Sequence, residues 1–255
     1  MACKYRLCSL LSAFSLMQSR FRWVSCQLDY LCQFATDADR QDALTKLPPT
    51  LQSSYQRILE KVNERPPQIR KMVQLSLQFI AFFPHRLTIN ELCDAVSVSE
   101  TLGEHLDSTN TVLGTNIAWC CSSLIRKSAD GKYFELAHFT VLEFLQSRTI
   151  SDLAFFMPVP SESRFLMGLQ CLRFLQLANF NNPVSEAPEL LLRFEEATKY
   201  SMFYVYAAYH WTSLLSDHLH EPRAYEAATR FFQRPCTPCL RLWIAGIASD
   251  RKSVV

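Results

Sequence analysis

Apolar residues recur at helical spacing along the first part of the chain. Between Phe21 and Phe34 they follow one face of a helix, and the polar stretch Thr36–Arg40 then ends the pattern. After Pro48 and Pro49, Thr50 can cap a new helix. Its apolar face comprises Leu51, Tyr55, Ile58, Leu59 and Val62. The pattern predicts two amphipathic helices separated by a break.

The next segments predict two further helices of different character. Residues Ile69–Phe83 are apolar almost all round, which is typical of a buried central helix. Thr88 and Glu91 then form a T-x-x-E capping box, flanked by the leucines of a hydrophobic staple. We therefore expect a helix from Ile89 to about Val96.

A third helix in this region, residues 114–124, precedes a hairpin signal. Two short β-prone segments, 124–127 and 132–136, flank the dipeptide Asp130-Gly131. Three helices followed by a two-stranded hairpin is the element order of a winged helix domain. His138 lies where the second strand passes into another helix, so its imidazole either faces a neighbouring domain or caps and packs at that helix start.

The last third of the chain predicts an array of helices without a repeat. The expected segments are Glu162–Leu177, Glu189–Tyr200, Phe203–Asp217 and Ala224–Phe232. The predicted fold class is therefore mainly α. It consists of a helical segment over residues 1–50, a winged helix domain with a small β-hairpin wing over 51–150, and a helical domain over 151–255.

Composition narrows the possible chemistry. The chain has only five glycines in 255 residues, and they never cluster. Phosphate loops need several glycines within a few residues, so we expect neither a nucleotide cradle nor a bound cofactor. The motifs G-x-S-x-G and H-E-x-x-H are absent from the sequence. We therefore expect a protein that is not an enzyme.

Ten cysteines are too sparse for a disulfide scaffold and fall mostly within apolar helical patterns. They predict reduced, buried thiols and a cytoplasmic protein. Cys236-Thr-Pro-Cys239 has the spacing of a redox motif but no βαβ context, so we expect two structural cysteines in a loop.

The first residues of the chain also allow a secreted protein as an alternative to a cytoplasmic one. Leu7–Met17 follows Lys4 and Arg6 and resembles a signal peptide, although a buried helix is the favoured interpretation. A secreted helical protein would need oxidised cysteines. The sequence has no apolar run long enough to span a bilayer, so we expect no membrane partner.

A winged helix raises the hypothesis of DNA binding. The net charge of +2 gives no long-range field, and residues 114–125 contain no charged side chain. Only Arg126, Lys127 and Lys132 near the hairpin are basic, whereas phosphate binding needs several cations. Nucleic-acid binding is thus the alternative function, and protein contact is the favoured one.

Several segments together resemble the end of the NACHT module in fungal STAND, or NLR-like, proteins. They are residues 19–29 (SRFRWVSCQLD), 44–48 (LTKLP) and 50–59, with Thr50-Leu51 and Tyr55-Gln-Arg-Ile-Leu59. Residues 87–96 (LTINELCDAV) and 136–145 (LAHFTVLEFL) resemble the winged helix that follows NACHT, a domain also named after GPI inositol-deacylase. Residues 206–211 (YAAYHW) are similar to an element found further along such proteins.

The resemblance implies a sensor or scaffold in place of a catalyst. Full members carry an upstream P-loop core that binds ATP or ADP, and often downstream ankyrin or WD repeats. A histidine after the wing strand touches the nucleotide in related winged helices, and His138 matches that position by its order along the chain. Because the P-loop is absent here, we expect a truncated member that serves as a regulatory or protein-interaction module. Its expected partners are NACHT or repeat domains in cis or in trans.

Overall fold

The computed structural model describes residues 20–83, 85–98, 105–107, 109–147, 150–157, 159–181, 187–233 and 237–250. Over these residues the protein is mainly helical with one small two-stranded antiparallel sheet, which confirms the predicted fold class at that level. The possible signal segment, residues 1–19, lies outside the described residues.

The described residues contain α-helices of eight to sixteen residues. The first, α1, covers residues 20–31. The others are α2 (Asp37–Thr45), α3 (Leu51–Asn63), α4 (Pro67–Phe82), α5 (Ile89–Ser97), α6 (Gly114–Cys121), α7 (Phe139–Ser147), α8 (Pro160–Leu175), α9 (Ala187–Tyr200), α10 (Phe203–Leu215), α11 (Pro222–Phe231) and α12 (Pro238–Asp250). Short 3₁₀ segments occupy Ser122–Leu124, Ser151–Phe156, Ala178–Phe180 and Ser216–His218.

Side-chain caps set the starts of α3 and α5. Thr50 Oγ1 accepts a hydrogen bond from the Ser53 amide at 3.1 Å. At α5, Thr88 Oγ1 accepts from the Glu91 amide at 3.3 Å, and Glu91 Oε2 accepts from the Thr88 amide at 2.6 Å. Both predicted helix starts are confirmed, because these bonds pair amides that the first turn leaves without partners.

Two helices were not expected from the apolar pattern. A break follows the first helix, as predicted, but it lies at residues 32–36, and the unpredicted Asp37–Thr45 forms α2, in which Ala43 is the buried residue. The predicted loop around Cys239 is wrong at that residue, because Pro238 begins α12 and Cys239 lies in its first turn. Proline at a first helical position favours a helix start. Cys236 lies outside the described residues.

The predicted hairpin is confirmed. Strands β1 (Ile125–Lys127) and β2 (Phe134–Leu136) pair antiparallel, with Ile125 opposite Leu136. Gly131 in the turn has φ +71°, a conformation that glycine adopts without strain. A bridge between Thr88 and Tyr133 extends the sheet toward the start of α5. Helix α4 packs against α5, α6 and β2, so these elements surround one buried helix.

The hydrophobic core continues from this region into the helices that follow residue 150. Helix α8 packs along α10 and also contacts α4 and α5. Gly168 makes the close approach possible, because a Cβ there would lie 2.7 Å from Leu215 Cγ. The side chains of α12 pack on α9 and α10. Buried residues of both regions form one core, and the predicted division at residue 150 stays a prediction.

Polar side chains also join the two regions. The fully buried Gln170 of α8 donates from Nε2 to the Val98 carbonyl at 2.7 Å. Asn179 accepts from the Leu106 amide at 2.8 Å and donates to the Leu106 carbonyl at 2.9 Å. The chain between α5 and α6 therefore obtains hydrogen-bond partners from residues more than seventy positions later.

Candidate functional site

His138 lies directly before α7, two residues after β2 ends. Its ring caps the helix, because Nδ1 accepts from the Thr140 amide at 3.4 Å and lies 2.9 Å from Thr140 Oγ1. Its carbonyl accepts from the Val141 amide at 3.1 Å. The capping alternative of the sequence analysis therefore describes the position of His138.

Burial lowers the pKa of His138 below its ordinary value. The positive charge of Arg22 lowers it further, Glu143 partly offsets this, and Arg126 adds a smaller lowering. The neutral ring is thus favoured, and an acceptor at Nδ1 places its single proton on Nε2. Among the described residues Nε2 has no hydrogen-bond partner, so it is available as a donor.

Thr140 connects His138 to the buried helix α3. Its Oγ1 lies 3.0 Å from the hydroxyl of Tyr55, which is fully buried. The Tyr55 ring packs on Phe144 of α7 with centroids 5.6 Å apart. Burial raises the pKa of Tyr55, and its hydrogen bond to Thr140 counteracts part of that rise. The histidine is therefore part of a hydrogen-bonded network that reaches the core.

Helix α1 reaches the same region through Arg22. Its Nη2 donates to the Ser123 carbonyl, and Ser123 Oγ donates to Asp29 Oδ2 at 2.6 Å. Trp23 Nε1 donates to the Pro48 carbonyl at 2.9 Å and fixes α1 to the connection before α3. Helix α1 thus holds the 3₁₀ segment beside the hairpin at two points.

Sequence reasoning named His138 but missed the residues around it. The segments that carry the family resemblance include Arg22, Tyr55 and Thr140, so the resemblance pointed to these parts of the chain. Their convergence was not visible, because Tyr55 and Thr140 are 85 positions apart.

The charges on α6 and the hairpin bear on the nucleic-acid alternative. Helix α6 has no charged side chain, and its Trp119 is 65% exposed. Arg126 and Arg86 both pair with Glu135, at 3.3 and 2.8 Å. Part of the positive charge expected at the hairpin is therefore neutralised within the protein.

The segment 206–211 lies on α10 and faces the connection between α4 and α5. His210 packs on His85 with ring centroids 4.7 Å apart, and Tyr206 lies 6.1 Å from His85. On the other side of α10, Trp211 packs on Phe231 at 5.7 Å. This element therefore contributes to packing between the hairpin region and the later helices.

Cys239 has the environment of a structural thiol. It is buried, and its Sγ lies 3.6 Å from Asn181 Oδ1 and 3.9 Å from the Leu177 carbonyl oxygen. Burial raises its pKa to about 12. A redox cysteine needs a lowered pKa, so Cys239 lacks that property.

Comparison of the chain with models of protein families, with curated proteins and with solved structures gave no match. Every helix within the described residues is too short or too polar to cross a membrane. Those residues also contain no group of three or more metal-ligating side chains.

Proposed function

We propose that the chain is a non-catalytic regulatory or protein-interaction module of the NACHT/STAND type, acting in the cytoplasm. In this proposal residues 51–150 form a winged helix domain. Its three helices are α4, α5 and α6, and β1 and β2 form the wing. The bridge from Thr88 to Tyr133 supports this assignment, because it brings the chain before α5 alongside the hairpin.

The convergence of the two resembling segments carries the proposal. Arg22 and Tyr55 come from the part that resembles the end of NACHT, and Thr140 and His138 come from the part that resembles the winged helix. Tyr55 and Thr140 are in hydrogen-bond contact, and the charge of Arg22 reaches His138. Motif residues that lie far apart in sequence thus form one network, as a functional junction between the two modules requires.

His138 is the proposed contact to a nucleotide held by a separate P-loop core. The imidazole Nε2 is available as a donor, which suits a phosphate oxygen or a carbonyl acceptor. The partner is then a NACHT core, bound in cis or in trans. The proposed role of the chain is to stabilise one state of that core.

Binding of the purified chain to a recombinant fungal NACHT core loaded with ADP tests this function. We expect binding, and we expect His138→Ala to weaken it at least about tenfold, since a hydrogen bond to a charged group contributes about 1.5–3 kcal/mol. His220→Ala, at an exposed histidine, is the control and should bind like the parent. The chain alone should bind neither ATP nor ADP at micromolar concentration. Micromolar nucleotide affinity, or equal binding by both variants, would contradict the proposal.

The nucleic-acid alternative is the weaker hypothesis. In the winged-helix mode it needs a basic surface on α6 and the hairpin, whereas α6 is uncharged and Glu135 pairs with Arg86 and Arg126. A gel-shift titration with labelled duplex DNA at two salt concentrations separates the functions. A salt-dependent shift at submicromolar protein would favour the alternative.

A further inference from the structure

A cleft of about 340 Å³ lies between α1, α3 and α6. Helix α3 lines it with Arg57 and Lys61, which lie one turn apart on one face, and Arg65 lines it from the turn that follows the end of α3 at Asn63. Tyr30, just before the end of α1, and Trp119 of α6 line the opposite sides. The described residues that line the cleft include no carboxylate.

The three cations are held over aromatic rings. The guanidinium carbon of Arg57 lies 3.5 Å from the Tyr30 ring centroid, and Lys61 Nζ lies 4.5 Å from the same centroid. The guanidinium carbon of Arg65 lies 4.9 Å from the Trp119 ring. Cation–π contacts restrict the side chains but leave their charge uncompensated. Arg57, Lys61 and Arg65, which we call the basic stripe, are therefore positioned before any ligand binds.

The charges of Arg57, Lys61 and Arg65 are not paired with carboxylates within the described residues. Arg57 donates to Gln27 Oε1 at 3.3 Å, a neutral acceptor. None of the ion pairs between described residues includes Arg57, Lys61 or Arg65. Burial lowers the pKa of Lys61, the like charges of Arg57 and Arg65 lower it further, and Glu64 offsets only a smaller part. A bound anion would relieve this repulsion.

The shape of the stripe favours an extended chain. Four residues of helix separate Arg57 from Lys61, a rise of about 6 Å along the axis, and Arg65 follows two residues after the helix ends. In an extended peptide, alternate side chains point to one side about 6.6 Å apart. Two acidic side chains at alternate positions therefore match the spacing of Arg57 and Lys61, and a third on the same side of the segment is assigned to Arg65. The apolar Ile58, Val62 and Ile69 also line the cleft, which suits the aliphatic parts of such a segment.

We propose that this cleft binds an acidic segment of a partner protein in an extended conformation, with alternate carboxylates paired to Arg57, Lys61 and Arg65. The proposal rests on the proposed interaction function and names the chemistry of one partner. A single-stranded nucleic acid fits less well, because it binds by stacking bases on aromatic faces. Arg57, Lys61 and Arg65 already occupy faces of Tyr30 and Trp119.

Fluorescence anisotropy with the full chain and a labelled Gly-Glu-Leu-Glu-Leu-Glu-Gly peptide tests the proposal. We expect saturable binding. Lys61→Gln and Arg65→Gln should each weaken it at least about tenfold, because each removes a charge-assisted hydrogen bond, which is stronger than one between neutral groups. Arg230→Gln removes the same charge from an exposed pair with Glu226 and should leave the affinity unchanged. A peptide with its three glutamates consecutive should bind more weakly.

Exchanging the charges of Lys61 and its peptide partner distinguishes a loss of binding from a loss of folding. Lys61→Glu should abolish binding of this peptide. A second peptide, whose central glutamate is replaced by lysine, should bind the Lys61→Glu variant with at least part of the original affinity. Absence of peptide binding, failure of the exchange, or tighter binding of a labelled oligouridylate than of the peptide would overturn the proposal. Peptide binding without NACHT-core binding would instead contradict only the proposed NACHT function.

Discussion

The hydroxyl of Tyr55 and Oγ1 of Thr140 lie 3.0 Å apart and join the buried face of α3 to the first turn of α7. The same Thr140 side chain contacts the His138 ring at 2.9 Å. Thr140 therefore couples the position of the candidate site to the packing of the core.

Replacing Tyr55 with phenylalanine should lower the free energy of unfolding by about 1–2 kcal/mol, because a buried hydroxyl bond is lost while the ring stays packed. Urea denaturation measures the change. Tyr225→Phe, at a ring that is 65% exposed, is the matched control and should stay within about 0.5 kcal/mol of the parent. Equal effects of the two substitutions would contradict the importance of the Tyr55 contact.

Gly168→Ala should destabilise the packing of α8 on α10. A Cβ at this position would lie 2.7 Å from Leu215 Cγ and 3.0 Å from Leu214 Cβ, so the helices must separate. We expect a loss of about 1–2 kcal/mol, since overpacking exceeds the gain in helix propensity. Thermal denaturation checks this, with Ser161→Ala on the exposed side of α8 as control. A stabilised Gly168→Ala variant would show that the helices are not in close contact.

Ser122→Gly should stabilise the protein. Ser122 has φ 45°, which is sparsely populated for residues with a Cβ, and glycine adopts it freely. The relief of strain outweighs the greater entropy of the unfolded chain, so we expect a gain of about 0.5–1 kcal/mol. Gly131→Ala, at φ +71°, should show the opposite sign in the same urea titration. A loss of stability in Ser122→Gly would contradict strain at this residue.

Stability should fall as the pH falls below about 6.5. The pKa values of His138 and His210 are lowered from 6.5 by burial and then by nearby positive groups, so the unfolded state binds protons more readily. Their contribution is present above pH 6.5 and is lost as the pH falls toward the folded-state pKa values. Urea midpoints between pH 7.5 and 5.5 measure the slope.

The double variant of His138→Gln and His210→Gln should flatten this slope. His220→Gln, at an exposed ring, is the control and should keep the slope of the parent. A slope that persists in the double variant would assign the pH dependence to other groups.

Thiol labelling should separate the described cysteines by burial. Cys32 is exposed and Cys120 half-buried, whereas Cys121 and Cys171 are buried and burial raises their pKa values. Brief treatment of the native protein with iodoacetamide, followed by peptide mass spectrometry, should modify Cys32 first and Cys120 next. Cys121 and Cys171 should react only in urea, and their fast reaction in the native state would contradict the core packing.

Local signals explain what the sequence predicted of the fold. The capping box at Thr88 and Glu91 and the Asp130-Gly131 turn act within a few residues, and both appear as expected. Helix α2 was missed because it buries only Ala43 and has no apolar face, although its cap at Thr36 was visible. Helix α12 was not predicted, because Cys236-Thr-Pro-Cys239 was interpreted as a loop, although proline favours a helix start.

The candidate site could be predicted only in part. Its histidine follows from the order of elements, since a residue between a hairpin and a helix is placed by local structure. Arg22 and Tyr55 reach the site through tertiary packing of α1 and α3 on the hairpin region. No local sequence pattern encodes these tertiary contacts, so they could not be predicted from a single sequence.

The hydrogen bonds between Asn179 and Leu106 set an order of events during synthesis. The backbone of Leu106 emerges from the ribosome 73 residues before its partner side chain. At about 5–20 residues per second, that interval lasts roughly 4–15 s. During this time only water or a chaperone can satisfy the backbone N–H and C=O of Leu106, between α5 and α6. The segment around Leu106 can therefore form its final hydrogen bonds only after the later helices have been synthesised.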